Sequence, residues 1–163
     1  TETHASSDAY ECTIRIEARC ETVYGYFTDP EKMLTWKGVA ATLDPRPGGI
    51  YRVNVTGREV ASGRYVELVP FHRIVFTWGW EGEGQPLPPG STTVEVTLAA
   101  DGDATVLRLR HSGLAPELLP GHADGWDHFL PRLAIAAAGG DAGPDPWAAA
   151  PPVAAAAGSG GPA

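Results

Sequence analysis

Histidine titrates nearest neutral pH, and of the five histidines in this 163-residue chain three fall inside patterned segments. His111 shares the parity of Leu107 and Leu109, which places it on the apolar face of a strand near its end. A carboxylate such as Asp124 or Glu67 beside it would make a proton-transfer pair, so His111, Asp124 and Glu67 are the catalytic candidates. The plainer reading is a histidine that hydrogen-bonds at the sheet edge, with His122 at a helix start. His122 and His128 stand six apart and so do not share a helical face, whereas helical zinc sites use an i, i+4 pair. No metal site is expected. Cys12 and Cys20 flank a strand pattern, and eight extended residues separate them by roughly 26 Å. A disulfide needs Cα atoms within about 7 Å, so two reduced, buried thiols are expected. The chain has no Gly-x-Ser-x-Gly elbow, P-loop or dinucleotide fingerprint, and nothing points to a cofactor.

The aromatic residues carry the stronger signal. Tyr51, Phe76, Trp78, Trp80 and Trp126 all have the strand parity or helical phase to face one interior. Large rings fill the core of a small domain well, and that is the simple account of Phe76 and Trp126. The functional account is that some of them line a small-molecule cavity, apolar with a few polar groups. The residues expected at such a ligand site are Trp36, Tyr51, Phe76, Trp78, Trp80, His111, His122 and Trp126. Trp80, next to the Gly/Pro-rich Glu81–Gly90 loop, and Trp36, beside a helical insert, are expected at its mouth.

These side chains need elements to hold them. Cys12, Ile14 and Ile16 alternate with Thr13, Arg15 and Glu17, a half-buried strand. Val23, Tyr24 and Phe27 then fall at helical spacing, and Asp29-Pro30 marks a stop and restart before a second short turn through Trp36. About six strands follow, joined by short turns such as Asp44-Pro45-Arg46-Pro47-Gly48-Gly49 and Asp101-Gly102-Asp103, which imply antiparallel neighbours. Each strand has one apolar face, so something covers the sheet on one side. Gly121–Ala138 supplies the cover: Trp126, Phe129, Leu130, Leu133 and Ala137 form one stripe. Pro131 inside that stripe predicts a kink near Gly125–Pro131 or a helix beginning close to it. The expected fold class is α+β, a curved antiparallel sheet of six to seven strands around a long C-terminal helix, with a short two-helix insert after the first strand.

Three segments follow: a flexible lead-in over 1–9, a domain over 10–140, and an Ala/Gly/Pro-rich tail over 141–163 that buries too little to offset its ordering entropy. Trp147, alone in Gly-Pro-Asp-Pro-Trp, is expected to dock back on the domain. A net charge of -8 disfavours nucleic acid and anionic membrane as partners. No apolar run approaches a membrane span, and the first thirty residues lack the pattern of a secretory signal. With reduced thiols, that places the chain in the cytoplasm by expectation, as a monomer or homodimer.

Four motifs together resemble one known family. They are Glu21-Thr22-Val23-Tyr24 with Phe27-Thr28-Asp29-Pro30 and Trp36; Asp44 to Gly49 with Tyr51-Arg52; Gly63 to Pro70 leading into Val75-Phe76-Thr77-Trp78; and His111-Ser112-Gly113-Leu114 followed by His122, Gly125, Trp126 and Leu130. From Ile14 to Trp147 the chain is similar to the START-like, helix-grip (SRPBCC) superfamily, in the branch of homologues of the activator of the heat-shock-protein-90 ATPase. The resemblance implies a β-α-α-β-β-β-β-β-β-α order and an apolar or aromatic small-molecule ligand held between sheet and helix. It also implies two alternatives: a cavity-based lyase or polyketide-cyclase-like activity using acid–base residues, or a protein-interaction module like the chaperone activator.

Overall fold

In a computed structural model, which describes residues 2–5, 9–82, 87–143 and 145–147, the alternating segments form one eight-stranded antiparallel sheet. The strands are β1 (Glu2–Ala5), β2 (Ala9–Ile16), β3 (Ala40–Leu43), β4 (Ile50–Asn54), β5 (Val60–Val69), β6 (Arg73–Trp78), β7 (Thr92–Asp101) and β8 (Ala104–Ser112). Their spatial order is β1-β2-β8-β7-β6-β5-β4-β3. Strands β3 to β8 are therefore a meander, and β2 closes against the last strand, with Cys12 opposite Leu109. Helices α1 (Cys20–Thr28) and α2 (Pro30–Met33) carry the chain from β2 to the far edge of the sheet. Asp29 separates them: its carboxylate accepts from the Glu31 amide, and Pro30 takes the first position of α2, where a missing N–H costs nothing.

The concave face is the apolar one. Cys12, Ile14 and Ile16 of β2, Ile74, Phe76 and Trp78 of β6, Val94, Val96 and Leu98 of β7, and Leu107 and Leu109 of β8 are all buried there. Helix α3 (Leu119–Ala137) lies across them after a 3-10 turn at Pro116–Leu118, burying Trp126, Phe129, Leu130 and Leu133. Polar bonds fix its position: the Tyr10 hydroxyl donates to Asp127 (2.7 Å), and the Tyr26 hydroxyl donates to the Ala136 carbonyl (3.1 Å). Cys12 and Cys20 are free and buried.

Two expectations change, and that of a docked Trp147 holds. Residues Glu2–Ala5 form a strand rather than a lead-in without structure, and they raise the strand number to eight. Their pairing with β2 runs through backbone groups, which no side-chain pattern announces. Helix α3 begins at Leu119 and runs through Pro131 to Ala137, so it does not start at the proline. Packing of its buried stripe against the sheet outweighs the donor that proline removes. Trp147 docks, its ring stacked on His128 at 3.9 Å and 6°. The remaining tail, 148–163, and residues 83–86 of the Glu81–Gly90 loop lie outside the described residues.

Candidate functional site

Strand β6 delivers Trp78 to the concave face because Ile74, Phe76 and Trp78 share one parity. Two residues on, Trp80 points the same way, its ring edge-on to Trp78 at 4.6 Å. Gly79 between them is obligatory. A Cβ there would sit 1.8 Å from the Pro88 carbonyl oxygen, so the loop that returns to β7 lies directly on its backbone. Helix α3 presents His122, Gly125, Trp126 and Phe129, at i, i+3, i+4 and i+7, to the same space. The third wall is Lys37. It follows the turn after α2, where its amide donates to the Met33 carbonyl (2.9 Å), and its side chain is only 4% exposed.

These walls enclose a cavity of about 300 Å³, at the lower end of the size range of small-molecule sites. Val55, Thr56 and Glu59 line it from the sheet side, Glu117, Leu118 and Gly121 from the start of α3, and Trp147 from the C-terminal segment. Trp147 is held there by more than its stack on His128. Asp145 accepts from the Trp147 amide (2.9 Å) and pairs with His128 Nε2 (2.7 Å), while the Arg132 guanidinium donates to the carbonyls of Ala142 and Gly143.

Both histidines near the cavity are wired as neutral rings. Trp126 Nε1–H donates to His111 Nδ1 (3.0 Å), which leaves His111 Nε2 to donate to Thr92 Oγ1 (2.8 Å). The Thr92 hydroxyl in turn donates to the Trp78 carbonyl (2.6 Å). On His122 the roles reverse: Nδ1 donates to the Leu118 carbonyl (2.9 Å) and Nε2 accepts from Trp80 Nε1 (3.2 Å). Burial, and secondarily the repulsion that His122 and Lys37 exert when protonated, hold His111 well below the ordinary histidine range. Burial also lowers His122, against the opposing effect of its bond to the Leu118 carbonyl.

Lys37 is the unusual group. Its Nζ lies 4.3 Å from the centre of the Trp126 ring, 5.7 Å from Phe129 and 5.9 Å from Trp78. No carboxylate pairs with it among the described ion pairs, and burial alone lowers its pKa to about 7. The Trp78 indole N–H is buried without a partner among the described residues.

The expected residues divide into three groups. Trp78, Trp80, His122 and Trp126 line the cavity, and His111 lies directly behind them. Trp36, Tyr51 and Phe76 belong to the packed core instead. The Trp36 indole donates to the Tyr26 carbonyl (3.0 Å) and packs edge-on to Phe27, while Tyr51 stacks on Phe76 at 4.1 Å. Trp36 is thus not at the mouth, because the turn that follows α2 points it under the helices. Glu67 and Asp124 do not reach His111: Glu67 pairs with Arg73 on the outer face (2.9 Å), and Asp124 is exposed on α3. Sequence reasoning missed Lys37 altogether. Lysines are almost never fully buried, and Trp36-Lys37-Gly38 carries no pattern that marks an exception.

A family model described as activator of Hsp90 ATPase homolog 1-like protein matches residues 17–138. Among solved structures, the solution structure of an AHSA1-like protein from Rhizobium etli is 45% identical, with a TM-score of 0.66 over 86% of this chain and 89% of that one. The crystal structure of CalU16 from Micromonospora echinospora is 25% identical, with a TM-score of 0.65 over 80% of this chain and 76% of that one. DynU16, a protein of the dynemicin biosynthetic locus, shares the fold at 23% identity and a TM-score of 0.73; the match covers 86% of this chain and 51% of DynU16. No curated protein matches the chain.

Proposed function

This chain belongs to the family of proteins like activator of Hsp90 ATPase homologue 1, and from that premise we propose that it binds an apolar, ring-bearing small molecule between its sheet and α3. The observation that carries the reading is the cavity itself. Four indoles and the Phe129 ring stand in its walls, and a volume of about 300 Å³ remains between them. A core built only for stability would fill that space, because interiors pack to the density of organic crystals. The acid–base reading has lost its residues, since Glu67 and Asp124 stand away from His111 and every ring nitrogen of His111 and His122 is already hydrogen-bonded.

Tryptophan fluorescence tests the proposal, because Trp78, Trp80, Trp126 and Trp147 all line the cavity. Titration with fatty acids, flavonoids and polycyclic aromatics is expected to give saturable quenching by the ring compounds. If no class perturbs the emission or raises the melting temperature, the cavity is not a binding site.

A further inference from the structure

The arginines whose partners are defined above the sheet surface meet opposite charge: Arg52 with Glu81, Arg73 with Glu67 and Glu95, Arg110 with Glu11. Lys37 is the contrary case, an amine withdrawn from water and set among rings. A lysine stem is long enough to carry its amine out to solvent, which is the usual behaviour at such positions. Here the amine stays inside. Cation–π attraction returns part of the lost hydration, but no protein acceptor among the described residues meets the three donors of the ammonium. The open volume beside it is the cavity, and the facing histidines offer it nothing, since both acceptor nitrogens are taken by indoles.

Two carboxylates, Glu59 and Glu117, also line the cavity. Neither forms an ion pair with Lys37 among the described contacts. Glu59 is half-buried on the sheet side, and Glu117 is exposed at the start of α3. Their charge makes these walls unfavourable for an anion and leaves the Lys37 end as its resting place.

Building on the proposed binding role, we infer that the ligand bears an acidic oxygen group, a carboxylate or an acidic phenol or enol. That group pairs with Lys37 Nζ while the ring system lies against Trp78, Trp126 and Phe129. The anion supplies the acceptors that the buried ammonium lacks, and the dry surroundings make the pair strong. The cavity thereby selects ring acids over neutral rings of the same shape.

The pairing has a pH signature. With the amine near half-protonated at about pH 7 in the free protein, an anion binds the charged form and raises the pKa of the complex. Below pH 7 Lys37 is charged in both states and binding moves no proton. Above it, each binding event takes up a proton, and Kd rises by up to about tenfold per pH unit until the raised value is reached. His111 and His122 also face this space, but both are held below their ordinary range and stay neutral in that window.

The experiment compares benzoate, 2-naphthoate and 2-anthroate with their neutral carboxamides, in the wild type and in Lys37→Met. The wild type is expected to bind at least one acid tenfold or more tighter than its amide at pH 6.5, with an acid Kd that climbs between pH 7 and 9. Lys37→Met is expected to lose that preference and the pH dependence, so that acid and amide bind alike from pH 6.5 to 9. Lys32 and Lys37 are the lysines of the chain, so the Lys37 side-chain resonance can also be followed by NMR without any variant. It should titrate near pH 7 alone and well above that with the acid bound. Amides binding as tightly as acids at every pH would overturn the inference and leave the binding role standing. Failure of every ring compound would remove both.

Discussion

Lys37 sets the sharpest expectation at the scale of single residues. Its folded pKa of about 7 lies below the value of an exposed lysine, about 10.4. Between those values the unfolded chain binds more protons than the folded one, so stability rises with pH through this window. Below pH 7 the full cost of charging the buried amine is present, on the order of 5 kcal/mol from the shift in pKa. Lys37→Met should therefore be more stable than the wild type at pH 6, by denaturant unfolding, and the gap should narrow toward pH 9. A constant gap would mean that the amine reaches water in the folded state. His111 behaves in the opposite sense to a charged catalytic residue. His111→Leu strips Trp126 Nε1–H of its acceptor and Thr92 of its donor. With about 1–3 kcal/mol for each of the two buried groups left unsatisfied, urea unfolding should record a loss of about 2–6 kcal/mol. A loss below about 0.5 kcal/mol would show that the indole finds another partner.

At the scale of elements, the grip of α3 on the sheet rests on its buried stripe. Trp126 is 4% exposed and packs against the His111 ring while its N–H is bonded there. Trp126→Ala should cost about 3–5 kcal/mol as a core truncation, measured by chemical denaturation. Less than about 1 kcal/mol would mean that the helix does not clamp the sheet through this residue. The segment after α3 is a lighter attachment, with Trp147 still 45% exposed over its stack on His128 and Phe129. It joins the cavity wall through Asp145 and Arg132 rather than through the core.

Across the whole molecule, that difference predicts how the C-terminus tolerates shortening. A chain ending at Trp147 keeps every described contact of the domain, and its melting temperature should match that of the full chain. A chain ending at Gly143 loses the Trp147 stack and the Asp145–His128 pair. It should melt a few degrees lower. Equal melting of both shortened chains would show that the docked segment contributes nothing to stability.

The sequence by itself determined the elements and their order. Strands β2 to β8 were legible because period-two alternation and short turns are local. The stripe from Trp126 to Ala137 was legible for the same reason at period 3.6. The four motifs also carried the family. β1 was not legible, because an edge strand can be held by backbone bonds alone. The continuity of α3 through Pro131 was decided by packing that local propensity cannot see. The site was only half visible. Parity placed Trp78, Trp80 and Trp126 facing the interior, but parity cannot separate a ring that lines a cavity from one, such as Phe76, that fills the core. Lys37 lies in the connection between α2 and β3, far along the chain from β6 and α3, whose rings surround it. Only the closing of those three elements on one another removes its amine from water and leaves it beside an open volume, and no pattern within a few residues can encode such a meeting.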